Sequence, residues 1–377
     1  MPSTLMLLSN PYRPDPRVHS EARGLVSAGY EVSLIAWDRE QARPRKADED
    51  GVNVHRLGPR CPPRSAPKIL FRLPRFWVKA LKAARGMKFD VIHAHDFDTL
   101  PLGRAISLLH DKPLLYDAHE LYAKMVEKEI GPLSRILWRF ERRCASQADA
   151  TVTVSDALAS ELPPSRLGRA TVVSTTQDPS LLNGANATEI RKMYGIEGFV
   201  VSYLGSLEPG RFVEETISTF SKDDGVTVLI AGTGTLVDAV KKAAESNPAV
   251  RYIGVVPTDE ALRLTMASDL VVAMMDPSNP NNVVGTPGKV INAMAVGRAL
   301  ITTRGLDIAK KIEEAGCGFV IRWDRAEFRE AVFKAKVDRP GTLEMGIRGR
   351  AYYDQHFSWN QSREGLLKAY KALVSPS

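Results

Sequence analysis

Apolar residues along this chain come in short unbroken runs, separated by longer stretches in which they recur every three or four positions. Runs of the first kind suit strands buried on both faces, and stretches of the second kind suit helices with one covered side. In the first half the strand runs fall at 4–8, 31–36, 52–56, 91–94, 114–117, 150–154 and 171–173. In the second half they fall at 200–204, 228–231, 250–253, 270–273, 299–302 and 319–321. Helical spacing fills the intervals at 18–28, 74–85, 100–109, 133–147 and 156–161, then at 212–220, 236–245, 258–266, 288–295 and 308–315. Strand and helix alternate throughout, which predicts parallel sheets covered by helices on both faces. The pattern breaks into Asn, Gly, Ala, Thr and Pro around 178–186, a natural linker. Two domains are expected, 1–182 and 183–356, followed by a segment 357–377 whose helix, near 361–374, returns to the first domain. No repeat of solenoid period and no low-complexity tract is visible.

A chain of 377 residues exceeds the size at which one hydrophobic core keeps growing, which agrees with two domains. Its hydrophobic fraction of 44% and charged fraction of 25% are those of an ordinary soluble protein. No apolar run is long enough to span a bilayer, and Leu5–Leu8 is too short for a signal-peptide core and lacks a basic flank. The cytoplasm is therefore the expected location. Cys61, Cys144 and Cys317 are few, odd in number and far apart, so neither a disulfide framework nor a zinc site is expected.

The net charge of +7 is concentrated in one segment. Arg56, Arg60, Arg64, Lys68, Arg72, Arg75, Lys79, Lys82, Arg85 and Lys88 lie between Gly51 and Phe89 with no acid among them, and without these ten the chain would stand at −3. Within this segment, 56–88, Arg75, Lys79 and Lys82 share one helical face beside Phe76, Trp77, Val78 and Leu81. Basic and aromatic residues together suit an anionic membrane surface. The same charge would attract a phosphate-rich soluble acceptor, and a plain solvated face explains it as well. No nucleic-acid-binding module accompanies it, so nucleic acid is not an expected partner.

Two strand ends carry histidines and carboxylates: Asp90-Val91-Ile92-His93-Ala94-His95-Asp96, and Tyr116-Asp117-Ala118-His119-Glu120. A doubly wound sheet places its active site at such ends. His93 reads as a structural hydrogen-bonder, while His95 and Asp96 are open to either reading. His-x-His raises a metal reading, yet no further ligand set with suitable spacing follows. In Tyr203-Leu204-Gly205-Ser206-Leu207-Glu208-Pro209-Gly210-Arg211 a strand ends in glycine and a loop feeds a helix start able to meet a pyrophosphate. Arg211 at a helix start is unfavourable without an anion. Ala231-Gly232-Thr233-Gly234 and Tyr252-Ile253-Gly254-Val255-Val256 place further glycines after strands. The run Gly285-Thr286-Pro287-Gly288-Lys289-Val290-Ile291-Asn292 builds a cradle for phosphate and hydroxyl groups from a Gly/Pro loop, a lysine and a helix start.

Taken in order, these stretches resemble the GT-B glycosyltransferases, in particular glycosyltransferase family 4, over nearly the whole chain. Asp15-Pro16-Arg17-Val18-His19 leading to Gly29-Tyr30-Glu31-Val32 is similar to the family's first loop and helix, with Asn10-Pro11-Tyr12 where a Gly-Gly pair is frequent. A helix cap and turn explains Asp15-Pro16 equally well. The resemblance implies an α/β GT-B fold, two Rossmann-like doubly wound domains facing across a cleft. It implies a retaining, metal-independent transfer from a nucleotide diphosphate sugar to a hydroxyl acceptor, lipid-linked or part of a cell-envelope glycan. No cofactor beyond that co-substrate is implied.

By the same resemblance His119 stands near the reacting sugar carbon, and Arg211 and Lys289 neutralise the departing pyrophosphate. Donor contacts are expected from Gly205, Ser206, Gly232, Gly234, Val255, Val256, Thr286, Pro287, Gly288, Val290 and Asn292. Acceptor contacts are expected from Tyr12, Asp15, His95, Asp96 and Glu120. The chain departs from the family at Ser206, where a basic residue is usual, and at Val284 and Asn292, where glutamates are usual. Asn292 lacks a carboxylate's charge-assisted bond, a difference on the order of 1–2 kcal/mol in donor binding. A sugar-nucleotide 2-epimerase of GT-B-like fold and a non-catalytic homologue are the alternatives. The basic segment adds a peripheral position on the cytoplasmic face of a membrane as an expectation.

Overall fold

In the computed structural model, which describes residues 1–13, 15–61, 66–176, 182 and 184–374, the chain divides into two units. The first joins Met1–Ser174 to Asn360–Ser377, and the second is Thr175–Trp359. Residues 178–181 and 183 of the expected linker lie outside the described residues, as does Arg64.

The first unit is built on eight strands: β1 (Ser3–Leu8), β2 (Glu31–Trp37), β3 (Lys46–Glu49), β4 (Val52–Leu57), β5 (Val91–His95), β6 (Leu114–Ala118), β7 (Ala150–Thr153) and β8 (Thr171–Val172). They lie in the order β3-β4-β2-β1-β5-β6-β7-β8, parallel except for the antiparallel β3–β4 pair at the edge. Every residue of β5 and β6 is buried, which is why these strands read as mostly apolar runs. Their polar members, His93, His95 and Asp117, are therefore fully enclosed. Between β1 and β2 runs the helix Pro16–Ser27, started by Asp15 as N-cap with Pro16 in its first turn. Val18, Ala22 and Leu25 repeat at helical spacing and bury against Met6, Leu8 and Val32. The last helix, Trp359–Val374, lays Leu366, Ala369 and Tyr370 into the same core.

The second unit has six strands: β9 (Phe199–Leu204), β10 (Val226–Ala231), β11 (Val250–Gly254), β12 (Leu270–Val272), β13 (Ala299–Thr303) and β14 (Gly318–Ile321). Their order is β11-β10-β9-β12-β13-β14, all parallel, with the chain reversing direction between β9 and β12. Alternate residues of β9 serve two cores, with Phe199, Val201 and Tyr203 on one face and Val200 and Leu204 on the other. In each unit the loops after the central strands are where a doubly wound sheet binds ligands.

All thirteen apolar runs are strands. The hairpin strand β3, Lys46-Ala47-Asp48-Glu49, carries no apolar run and escapes that reading. The helix Ala66–Ala84 begins ahead of the expected start at residue 74 and contains Pro74. Helices Ala187–Tyr194, Arg325–Val337 and Arg339–His356 were not expected. The last of these presents Thr342, Gly346, Gly349 and Tyr353 inward, with only Tyr353 a large side chain. A Cβ on Gly346 would lie 2.2 Å from the carbonyl oxygen of Gly297, so close backbone approach replaces hydrophobic periodicity there.

Candidate functional site

Two constellations form, one in each unit. In the first, Arg17 reaches from the buried side of its helix to the end of β6. Its Nε donates to Asp117 Oδ2 at 3.1 Å and its terminal nitrogen to Oδ1 at 2.7 Å. The same guanidinium meets Glu21 Oε1 at 3.0 Å and donates to the carbonyl of Val173 at 2.5 Å. Asp117 is bonded in turn to His119 Nε2 at 2.8 Å and His95 Nδ1 at 3.2 Å. On its other side His119 Nδ1 lies 3.1 Å from Asp96 Oδ2, while its backbone N–H donates to Asp96 Oδ1. Asp96 holds φ +61°, a left-handed conformation that turns its carboxylate back over the strand end.

The charges follow from these contacts. Burial opposes charge on Asp117, but the Arg17 guanidinium and the His119 ring outweigh it and hold the carboxyl well below its usual range. Burial likewise opposes charge on His119, and the two carboxylates of Asp96 and Asp117 overcome it, holding the imidazole well above its usual pKa. His119 is thus an imidazolium with both nitrogens taken. Glu21 is pushed up to about 8 by burial, with Arg17 pulling the other way and Asp117 adding to the rise. Asp98, two residues after Asp96, is pushed up to about 7 by burial and by the Asp96 charge.

Glu21, His93, His95 and Asp117 bring ligand atoms within 4.8 Å of one another, all buried. Both carboxylates are already bound to Arg17, so the guanidinium supplies the positive charge that a metal would bring. His93 Nδ1 is 2.9 Å from the hydroxyl of Tyr370, which also meets Thr4 Oγ1 at 3.0 Å, so His93 ties the last helix to the sheet.

Two expected acceptor residues are corrected. Tyr12 is fully buried, with φ +75° and its hydroxyl on His19 Nδ1 at 3.0 Å, and His95 is fully buried against Asp117. Neither presents a side chain to a ligand. Asp15 spends one oxygen on the Val18 N–H and the other on Asn10 Nδ2 at 2.8 Å, so it shapes the loop. Asp96 and Glu120 remain half-buried at the strand ends.

In the second unit the ammonium of Lys289 is buried although its residue is half-exposed, and it has no hydrogen-bond partner among the described residues. It sits 3.4 Å from the centroid of the Tyr203 ring, a cation–π contact with the last turn of β9. Burial, and then the neighbouring charge of Arg211, hold its pKa well below the lysine range. Two cations that repel each other at the start of the helix Gly288–Ala295 leave a place for an anion. Gly205 lies beside the lysine stem: a Cβ there would be 3.9 Å from Lys289 Cε. A Cβ on Gly232, which has φ +140°, would fall 1.8 Å from the Gly205 carbonyl oxygen, so only glycine lets these two loops touch.

Tyr203 and Glu208 were not foreseen as site residues. Tyr203 reads as core within an apolar run; its hydroxyl donates to the Ser206 carbonyl at 2.7 Å and fixes the ring under Lys289. Glu208 accepts from the Thr235 N–H at 3.1 Å and from the Thr235 hydroxyl, tying the loop after β9 to that after β10. Val290 is a correction: its side chain is core and its N–H donates to the Pro287 carbonyl, so it offers nothing to a ligand. Ser206 and Val255 are exposed, and Thr286, Pro287, Gly288 and Asn292 are half-buried around Lys289. The Asn292 side chain has no hydrogen-bond partner among the described residues.

The basic segment is only partly a surface. Arg56 is buried, donating to the carbonyls of Pro11 and Pro44 and to Glu49. Arg60, Lys68, Arg75, Lys79, Lys82, Arg85 and Lys88 are exposed. A second basic face escaped the sequence reading: the helix Leu133–Ala145 exposes Arg135, Arg139, Arg142 and Arg143 together with Leu133, Ile136 and Phe140. Its one acid, Glu141, is buried on the N–H groups of Tyr122 and Ala123. No helix among the described residues is long and apolar enough to cross a membrane.

Residues 14–175 match a glycosyl transferase 4-like domain and residues 198–335 a glycosyl transferases group 1 domain. A GDP-mannose-dependent alpha-mannosyltransferase of Mycolicibacterium smegmatis is 29% identical over 58% of this chain, a match that spans 58% of that protein's length. A D-inositol 3-phosphate glycosyltransferase of Acidothermus cellulolyticus is 24% identical over 93% of this chain and 83% of its own. In fold, the chain is similar to the sucrose-phosphate synthase of Thermosynechococcus elongatus, with a TM-score of 0.82, 15% identity and complete coverage of both chains. With a 4-like domain in its first unit and a group 1 domain in its second, the chain belongs to the group 1 glycosyltransferases of the GT-B class.

Proposed function

We propose that this glycosyltransferase is a retaining, metal-independent enzyme that draws its sugar from a nucleotide diphosphate sugar bound in the second unit. The observation that carries the reading is the buried, unpartnered ammonium of Lys289 beside Arg211. A diphosphate satisfies both charges, and burial makes each contact worth more than it would be in water. The bond from the sugar carbon to the diphosphate oxygen breaks, and the acceptor hydroxyl bonds to that carbon from the same face. The acceptor's proton passes to the departing diphosphate, whose charge Arg211 and Lys289 neutralise. With both ring nitrogens held by carboxylates, His119 acts as a fixed charge and not as a proton carrier. Asn292 replaces a carboxylate at the ribose, which supports weaker donor binding. A homologue that binds donors without turning them over is the second reading, and Val284 and Asn292 in place of acids favour it.

A thermal-shift screen of UDP-, GDP-, ADP- and dTDP-sugars tests the assignment. At least one raises the melting temperature, and the same donor is slowly hydrolysed. Stabilisation without hydrolysis or transfer would select the non-catalytic reading, and no stabilisation by any of the four would end both.

Two of the similar proteins are named for phosphorylated compounds, D-inositol 3-phosphate and sucrose phosphate, which supports a hydroxyl acceptor that is phosphorylated. The exposed residues of the helices Ala66–Ala84 and Leu133–Ala145 support a peripheral place on an anionic membrane: Phe71, Val78, Leu133, Ile136 and Phe140 with the lysines and arginines around them. Co-sedimentation with vesicles should rise as phosphatidylglycerol replaces phosphatidylcholine and fall with salt. Sedimentation indifferent to lipid charge would remove the membrane from the reading.

A further inference from the structure

At the C-terminal ends of β2 and β4 the first unit opens a depression of about 970 Å³ lined by Glu40, Pro59, Arg60, Cys61, Arg72 and Arg75. Its floor is tied down. Trp37 Nε1 donates to the Pro59 carbonyl at 2.8 Å, and the Cys61 N–H donates to the Arg39 carbonyl at 2.8 Å. Arg72 bonds the Arg60 carbonyl, which draws the start of the helix Ala66–Ala84 over the strand ends. Arg75 stacks on Phe71 with its guanidinium carbon 5.4 Å from the ring centroid.

Three arginines and one glutamate therefore line this space. Asp38, at the end of β2, is buried and already accepts from the N–H groups of Gln41 and Arg43. Guanidinium forks match the oxygens of a phosphate in geometry and charge, and three of them suit a dianion better than a single carboxylate. The volume lies within the range of small-molecule sites. The position is that of a substrate site, because the depression opens at the same edge of the sheet as Asp96 and His119.

We propose that Arg60, Arg72 and Arg75 bind a phosphomonoester carried by the acceptor. The inference rests on the reading of the first unit as the acceptor domain and gives that acceptor its charge. The phosphate is that of a soluble sugar phosphate or of a lipid headgroup, the same chemistry from two sources.

The test measures binding by the full-length protein of inorganic phosphate, of glucose 6-phosphate, and of vesicles containing phosphatidic acid in phosphatidylcholine. Each is repeated on Arg72→Ala/Arg75→Ala, on Arg60→Ala, and on Lys88→Ala as an exposed basic control, with circular dichroism to confirm the fold. Saturable binding of glucose 6-phosphate that weakens at least tenfold in the double variant, less in Arg60→Ala and not in Lys88→Ala, establishes the site with a soluble acceptor. Binding confined to the phosphatidate vesicles, with the same ranking of variants, establishes it with a lipid headgroup. No binding of any probe, or losses equal in Lys88→Ala and the double variant, overturns the proposal. Donor stabilisation by nucleotide sugars is measured on the same samples. A protein that keeps its donor and ignores phosphate thus refutes this site without touching the glycosyltransferase reading.

Discussion

Lys289→Met is expected to weaken nucleoside diphosphate binding about a hundredfold while raising the melting temperature of the ligand-free protein. An ammonium enclosed without a hydrogen-bond partner, beside a second cation, destabilises the fold that contains it. Methionine keeps an unbranched stem over the Tyr203 ring and removes the charge. Loss of a charge-assisted contact on a buried diphosphate amounts to about 1.5–3 kcal/mol, and nucleoside affinity should change little. The opposite signs make the experiment decisive. If the melting temperature falls, the lysine is held for its contact with Tyr203 and not for an anion. A second signature is proton linkage. Because the folded pKa is lowered, the unfolded chain holds the Lys289 proton between that pKa and 10.5 while the folded chain does not, so stability rises with pH in that window. An arriving diphosphate restores the charge, so binding there takes up a proton. Calorimetry in buffers of different ionisation enthalpy reads that uptake directly.

Lys289 also shows how far the sequence reaches. Its position at a helix start behind a Gly/Pro loop is legible from spacing, whereas its pairing with Arg211 comes from the family resemblance. The alternation of apolar runs and helical spacing likewise locates the strands of both sheets, because parallel strands buried on two faces have few polar positions. What spacing does not show is which side chains are enclosed. Tyr12 and His95 lie in motifs that face a substrate in outline, yet both point inward. Arg17 and Glu21, four apart on their helix, form a buried pair at the end of β6 that no spacing marks as enclosed. Helix Arg339–His356 is hidden for the converse reason, since two of its four buried positions are glycines and a third is Thr342, which leaves Tyr353 as the one strong hydrophobic signal. The depression at Arg60, Arg72 and Arg75 depends on a helix start crossing two strand ends, a tertiary event that leaves only a charge count in the sequence.

Asp117→Asn should be the most damaging single change in the first unit, lowering stability by on the order of 3–5 kcal/mol in urea unfolding. Asparagine keeps the shape but removes the charge that balances Arg17 and His119, leaving two cations enclosed against too little negative charge. The sign with pH follows from the shifts. The depressed pKa of Asp117 contributes stability that is present above its unfolded value of 3.8 and is lost as pH falls through the folded value. The raised pKa of His119 contributes stability fully present below 6.5 and lost as pH rises through its folded value. The gap between the two proteins is therefore wide at neutral pH and narrows in strong acid, and the His119 ring, followed by NMR, titrates lower in the variant. Glu21→Gln is the necessary contrast. Pushed up to about 8, Glu21 carries a proton at neutral pH and glutamine mimics it, so the change should be within about 1 kcal/mol near pH 5. Wild-type Glu21 loses stability between its unfolded 4.5 and its folded value, so the variant gains on it as pH rises from 5 to 8. Should Glu21→Gln prove as damaging as Asp117→Asn at neutral pH, Glu21 is an ionised partner of Arg17. The cluster would then carry one more negative charge than the arrangement derived above.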